Sequence, residues 1–383
     1  MSSQPAKKRL VLLGGGHAHV FVLRAFGVKP VPGVEITLIA KEMEAPYSGM
    51  LPGFVAGHYR LDECLIDLER LGAFAKARVL EAAATGIDRV NRQVFIKGRD
   101  PIPYDVLSID VGITPDIEGI KGATRHALAV KPVSEFAPKW QDLEKRAARP
   151  EGPRHIVAVG GGAAGLELIL AARHRFQQIA AGKDFTFSLV TGGRILPTHS
   201  IRARRIARVA LQEANVRLIE RTTVVEIAED HVRLASGTTL PCDAAIVSTR
   251  AKAPPWLAST GLARDSGGYL ALRVFFYVRA TMEIYTDEDI FAAGDCATVI
   301  EHPRPKAGVF AVRQGPVLAD HLRRQLELRL LDPFVPQRHF LTLLSLGQKS
   351  AIADRNGWAA AGRWAWTWKD WIDRRFMARF AGL

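Results

Sequence analysis

The sequence predicts an α/β protein built from two Rossmann-like dinucleotide-binding units, with a small C-terminal region that carries an amphipathic helix. Three observations predict it. Residues 9–19 read RLVLLGGGHAH and residues 154–165 read RHIVAVGGGAAG, each an apolar run that ends in three glycines and opens into helical spacing. Each is followed by a second apolar strand, VEITLIA at 34–40 and FTFSLVT at 185–191. That is a βαβ nucleotide-binding pattern occurring twice. The third observation is the tail. At helical spacing, Trp364, Trp368, Trp371, Ile372, Phe376 and Phe380 fall on one face, with Arg363, Lys369, Asp370, Arg374 and Arg379 largely off it.

The first motif reads Gly14-x-Gly16-x-x-His19. Its first two glycines allow a tight turn and close approach of backbone to a pyrophosphate. His19 stands where a third glycine would let helix pack on strand, so a wider contact or a side chain reaching to the ligand is expected. His17 and His19, two residues apart, point to different faces of a helix, and no metal pair is expected. The acidic ribose ligand usual about 20 residues on is missing. The strand VEITLIA ends instead at Ala40-Lys41, with Glu42 and Glu44 beyond it.

RQVFIKG (92–98) and YDVLSIDVG (104–112) read as strands ending the first unit. The second motif, Gly160-x-Gly162-x-x-Gly165, is complete, and the helix it opens offers unpaired N–H groups to a phosphate. Residues 216–249 read as a meander with a turn at Ser236-Gly237. DIFAAGD (289–295) is a strand ending at Asp295, followed by a long helix from Gly308. LDPFVPQ (331–337) marks a boundary. Strand candidates HFLTLLSLG and KSAIADRNG precede the tryptophan-rich tail.

Composition sets bounds. The chain has 383 residues, enough for two or three domains of about 100–200 residues each. It is 48% hydrophobic and 24% charged, ordinary for a globular protein. No apolar run reaches the ~18–20 residues that span a bilayer, and MSSQPAKKRL lacks the apolar stretch of a secretory leader. Cys64, Cys242 and Cys296 are odd in number and far apart, against a disulfide framework or a CxxC motif. A cytoplasmic location is expected, peripheral on the inner membrane face if the tail binds lipid. The net charge is +13, and residues 301–383 hold 14 Lys/Arg against 7 Asp/Glu. That excess suits an anionic ligand, an acidic membrane or a solvated face. No nucleic-acid-binding motif accompanies it, and nucleic acid is not expected.

The order of these motifs, with Gly294-Asp295 closing the last strand, resembles the FAD-dependent pyridine nucleotide–disulfide oxidoreductase superfamily. The resemblance covers residues 9 to about 325 and implies a glutathione-reductase-like, two-domain flavoprotein. It implies that residues 1–118 and 254–325 bind FAD and residues 119–253 bind NADH or NADPH, leaving 326–383 as a membrane- or dimer-interface region. In this likeness the flavin is expected to be held by Gly14, Gly16, Ala18, His19, Lys41, Gly112, Gly294, Asp295, Gly308 and Val309. The nicotinamide dinucleotide is expected at Gly160, Gly162, Ala163, Ala164, Gly165, Arg194, Thr249 and Arg250. Glu167 would face the nicotinamide and flavin edge, while Lys131 and Lys306 would lie by the flavin, where a cation stabilises the reduced ring.

Without a redox cysteine pair, the pattern is similar to type II NADH:quinone oxidoreductases rather than to disulfide reductases or sulfide oxidisers. APYSGMLPGFVAGHY (45–59), VKPV (130–133) and HPRPKAGVFAVRQGP (302–316) resemble the flavoprotein module found alone or fused to selenophosphate synthetase. The expected activity is electron transfer from NAD(P)H through FAD to a quinone or similar acceptor. The alternative is a flavin-binding regulatory partner linked to selenium metabolism. Three departures bear on this. Val309 and Arg313 stand at the quinone-site glutamines, with Arg313 and Gln314 as substitutes. Gly192, followed by Arg194, replaces the acid that selects NADH. Arg250 replaces the glycine beneath the nicotinamide.

Overall fold

The computed structural model describes residues 7–180, 182–249, 251–275, 279–284 and 287–383. Strand Lys8–Leu13 lies between Val34–Ala40 and Val106–Ile109, parallel to both. Arg78–Glu81 extends one side and Asp287–Ala292 the other, also parallel. Arg279–Ile284, Leu270–Phe275 and Ala297–Val299 complete an eight-stranded sheet. Leu10 to Leu13 are all buried, as an uninterrupted apolar run must be in a parallel sheet covered on both faces. Helix His17–Val28 follows the first glycine turn and packs on helix Gly308–Leu326. A Cβ at Gly315 would run into the Phe21 ring, so glycine sets how closely these helices approach.

The second sheet has five parallel strands in the order Ala127–Ala129, Ala244–Val247, His155–Val159, Thr186–Thr191 and Val216–Glu220. The meander expected over 216–249 is therefore correct only in its middle. Val224–Ile227, His231–Leu234 and Thr239–Pro241 form an antiparallel sheet turning at Gly237, where φ is +86°. The flanking strands join the parallel sheet instead. All four residues of Ala244–Val247 are buried, as a strand between two parallel neighbours requires.

The long helix from Gly308 stops at Leu326. Thr342–Ser345, Ala351–Arg355 and Trp358–Gly362 then form an antiparallel sheet that runs straight into helix Arg363–Ala381. The tail's aromatic face splits in two. Phe376 and Phe380 join the core of the first unit, whereas Trp364, Trp368 and Trp371 are exposed. A helix turns about 100° per residue, so positions 376 and 380 have drifted well away from 364 and 371. Helix Leu51–Val55 packs with helix Ala163–Ile179 in a second core, which joins the two nucleotide units.

Candidate functional site

Both glycine turns follow the carboxyl ends of central parallel strands, where open α/β sheets bind ligands. In the first turn Gly14 has φ +101°, a region that only glycine adopts freely. His19 is fully buried; its Nδ1 lies 2.7 Å from the Gly14 carbonyl and its Nε2 2.8 Å from Ser108 Oγ. Nδ1–H therefore donates to the carbonyl and Nε2 accepts from the hydroxyl. Burial holds the ring neutral, its pKa lowered to about 4. Of the two expectations for His19, the structure realises the helix–strand contact: the ring ties the helix to its strand.

His17 turns the other way, toward Tyr47 and Phe376. Its Nε2 is buried and, among the described residues, has no partner. Asp110, on the loop after Val106–Ile109, is the residue at this turn that sequence reasoning missed. Its carboxylate accepts the Ala18 and His19 N–H groups at 2.8 and 3.3 Å, and its carbonyl accepts the Gly16 N–H at 3.1 Å. Burial pushes the carboxyl up to about 7.

The Gly294-Asp295 turn lies against the same place. A Cβ at Gly294 or Gly16 would run into the Asp110 carboxyl, so both glycines make room for it. Asp295 is paired with Lys131 at 2.8 Å. Gln314, buried in helix Gly308–Leu326, accepts the Gly294 N–H at 2.7 Å. Gln314 Oε1 is thus engaged with this turn, and Arg313 is exposed. Lys306 donates to Thr298 Oγ1 at 2.8 Å and to the Ala297 carbonyl, and lies 4.1 Å from the Tyr269 ring centroid. Burial lowers its pKa. Gly308 and Val309 open their helix beside Ser48. Lys41 is exposed and sits 3.8 Å from Glu135, a loose pair. A Cβ at Gly112 would meet open space.

In the second turn Gly160 has φ +123°, and a Cβ at Gly165 would run into the Gly160 carbonyl. A Cβ at Gly162 meets nothing within 4 Å. Gly165 thus serves packing, and Gly162 faces space. Ala163 and Ala164 begin the helix, and the Ser248 hydroxyl beside Gly160 is buried without a partner among the described residues. Thr249 Oγ1 lies 3.3 Å from the Asp116 carbonyl, and Arg194 is exposed past the end of Thr186–Thr191. Arg250 lies outside the described residues. Glu167 is buried and accepts the Ser345 N–H at 2.8 Å. Its carboxyl is raised to about 7, by burial first and by Asp373 less, with Lys369 opposing. The partners that the structure records for Glu167 come from the C-terminal unit.

The family model for pyridine nucleotide-disulphide oxidoreductases matches residues 8–315. This chain belongs to that family. It is 24% identical over 358 residues to the NADH dehydrogenase-like protein YutJ of Bacillus subtilis, covering 91% of this chain and 93% of that protein. It is 23% identical over 262 residues to the external alternative NADH-ubiquinone oxidoreductase of Yarrowia lipolytica, covering 61% and 44%. The structure of NDH2 from Plasmodium falciparum in complex with NADH superposes with a TM-score of 0.81 at 14% identity, over 98% of this chain and 97% of that one. Membership makes the chain an FAD-dependent NAD(P)H oxidoreductase.

The residues fit those groups. A buried, unpartnered imidazole nitrogen beside the first turn and a buried, unpartnered hydroxyl beside the second are groups that a polar ligand completes. The glycines that meet open space leave room for a dinucleotide. The family name refers to a disulfide that this chain lacks. Cys64, Cys242 and Cys296 are all free and buried, and burial pushes each thiol up to about 12. No cluster of metal-binding side chains occurs among the described residues.

Proposed function

We propose that the protein oxidises NADH or NADPH and delivers the electrons to a quinone at a membrane surface. The observation that carries this reading is the two-sided C-terminal helix. Its inner face touches the first nucleotide motif, through Phe376 against His17 and Tyr47. Its outer face holds Trp364, Trp368 and Trp371 48, 42 and 54% exposed. Trp358 extends the row, with ring centroids 6.4 and 6.5 Å apart from Trp358 to Trp364 to Trp368. The Arg375 guanidinium lies 5.0 Å over Trp371, and Arg363 and Arg379 are exposed on the same helix. Exposed indoles among cations suit the headgroup layer of an acidic bilayer. No helix among the described residues is long and apolar enough to cross a membrane, so attachment would lie in the membrane plane.

The flavin supplies the two-electron relay between dinucleotide and acceptor. The chain's own residues position and tune it. His17 and the Gly14–Gly16 turn would receive the diphosphate end, and Asp295 with Lys131 would fix the neighbouring turn. Lys306 supplies positive charge beside Thr298, and Glu167 can hold a proton at its carboxyl near neutral pH. With every thiol buried and unpaired, electrons pass to the acceptor without a disulfide intermediate. The Yarrowia relative, named for ubiquinone, supports a quinone as that acceptor.

The test is anaerobic bleaching of the yellow protein by NADH and by NADPH, followed by reoxidation with a water-soluble quinone. Bleaching with rapid return of colour supports the reading; a flavin that neither nucleotide reduces sinks it. Replacing Trp364, Trp368 and Trp371 together by serine should abolish salt-sensitive co-sedimentation with anionic vesicles. Loss of a dimer instead would assign the row to a second copy of the chain.

A further inference from the structure

Asp110 is a buried acid at the point where the Gly14–Gly16 and Gly294-Asp295 turns converge. It fills the start of helix His17–Val28, accepting Ala18 and His19 N–H through its carboxylate and Gly16 N–H through its carbonyl. Those amides and the helix dipole are what a dinucleotide's diphosphate uses at such a turn. The His17 N–H is the one amide at the helix start that Asp110 does not take. A carboxylate here is an anion already in an anion site, and a second anion beside it meets like-charge repulsion in a region of low dielectric.

We propose that Asp110 sets the affinity for FAD by its charge, so that the cofactor is held tightly when this carboxyl carries a proton and loosely when it is ionised. The inference rests on FAD being the ligand of the first turn. The groups around Asp110 leave it as the charge that changes. Asp295 and Cys296 face it from the Gly294 turn; Asp295 is paired with Lys131, and the Cys296 thiol is held protonated by burial. From the helix, His17 and His19 are kept neutral, both lowered to about 4 by burial. Burial places the Asp110 carboxyl itself at about 7. Asp295 raises it in the same direction, and the two amide hydrogen bonds oppose. Binding of the doubly negative diphosphate then draws a proton onto Asp110, and release of FAD at higher pH returns it to solvent.

The experiment follows FAD retention by the holoprotein during repeated ultrafiltration between pH 5.5 and 8.5, for the wild type and Asp110→Asn. Asparagine keeps an acceptor for the two amides and removes the charge. The wild type should hold FAD evenly up to about pH 7 and then lose affinity by up to about tenfold per pH unit, the slope for one linked proton. Asp110→Asn should retain FAD across the whole range. Coincident profiles for the two proteins overturn the proposal. Should the variant not fold, proton release decides the matter on the wild type alone: FAD dissociation at pH 8 in weak buffer should liberate a proton, and proton-neutral dissociation overturns the proposal. A wild type that holds no FAD at any pH would refute the cofactor assignment instead.

Discussion

Phe376→Ala should unseat the C-terminal helix. The side chain is 5% exposed. Its ring stacks on Tyr47 at 4.1 Å and 22°, and meets Phe21 and Phe380 at 5.9 and 5.3 Å between centroids. A buried phenylalanine removes about 150–250 Å² from water, roughly 4–6 kcal/mol at about 25 cal/mol per Å². Alanine keeps a small part of that, and the surrounding rings are rigid plates that cannot close over the void. The loss should therefore be about 3–5 kcal/mol. Trp368→Ala on the same helix is the control. That indole is 42% exposed and lies outside the buried core, so its removal leaves no enclosed void and should cost about 1–2 kcal/mol, clearly less than the phenylalanine, with alanine's higher helix propensity returning a few tenths. Urea unfolding of the FAD-loaded proteins, read by far-UV circular dichroism and by flavin fluorescence, measures both. A Phe376→Ala protein within about 1 kcal/mol of wild type, or a Trp368→Ala protein equally destabilised, would refute the assignment of inner and outer faces.

Two further outcomes follow from the site. Asp295→Ala deprives Lys131 of its partner and the Gly294 turn of its carboxylate, and should weaken FAD retention by about tenfold or more; retention on gel filtration equal to wild type would rule this out. Glu167 has a folded pKa raised from about 4.5 to about 7, so its contribution to seating the C-terminal unit is full below pH ~4.5 and fades as pH rises through ~7. Amide exchange in Thr342–Ser345 should accelerate over that window beyond its intrinsic pH dependence, and Glu167→Gln should lack the extra acceleration; a variant that follows the wild-type trend removes Glu167 from the contact.

The two glycine turns, their flanking strands and the Gly294-Asp295 turn were legible because their causes are local. A strand shows as an apolar run, and a turn with φ above +100° demands glycine whatever surrounds it. What could not be read depends on partners distant in sequence. Nothing in VLSIDVG marks Asp110 as buried; its amides lie about 90 residues upstream, at Ala18 and His19. Ser108 matters as the hydroxyl that meets His19, and Gln314 as the oxygen that meets the Gly294 N–H, and neither contact shows in the local pattern. Glu167 likewise shows as a carboxylate on a helix, with no sign that it grips a strand at position 345. The strands at 216–220 and 244–247 looked continuous with the hairpins between them, because sheet membership is decided by neighbours that pattern alone does not name. The tail's helix was legible but its single face was not, for a geometric reason: six aromatic and aliphatic positions within one helix drift too far around the axis to stay together.

The first sheet has a consequence for how the chain is made. Val106–Ile109 waits for Asp287–Ala292, which follows it by about 180 residues. All five strands of the second sheet lie between those two, within residues 127–247. On a ribosome the second sheet can therefore close while the first still has an open edge, its strand amides unpaired and its Gly294 turn not yet synthesised. Such an edge is a template for the wrong strand, including one from a neighbouring nascent chain. FAD cannot meet a finished pocket until translation has passed the Gly294 turn. Flavin supply during expression should accordingly act late, by trapping a unit already assembled.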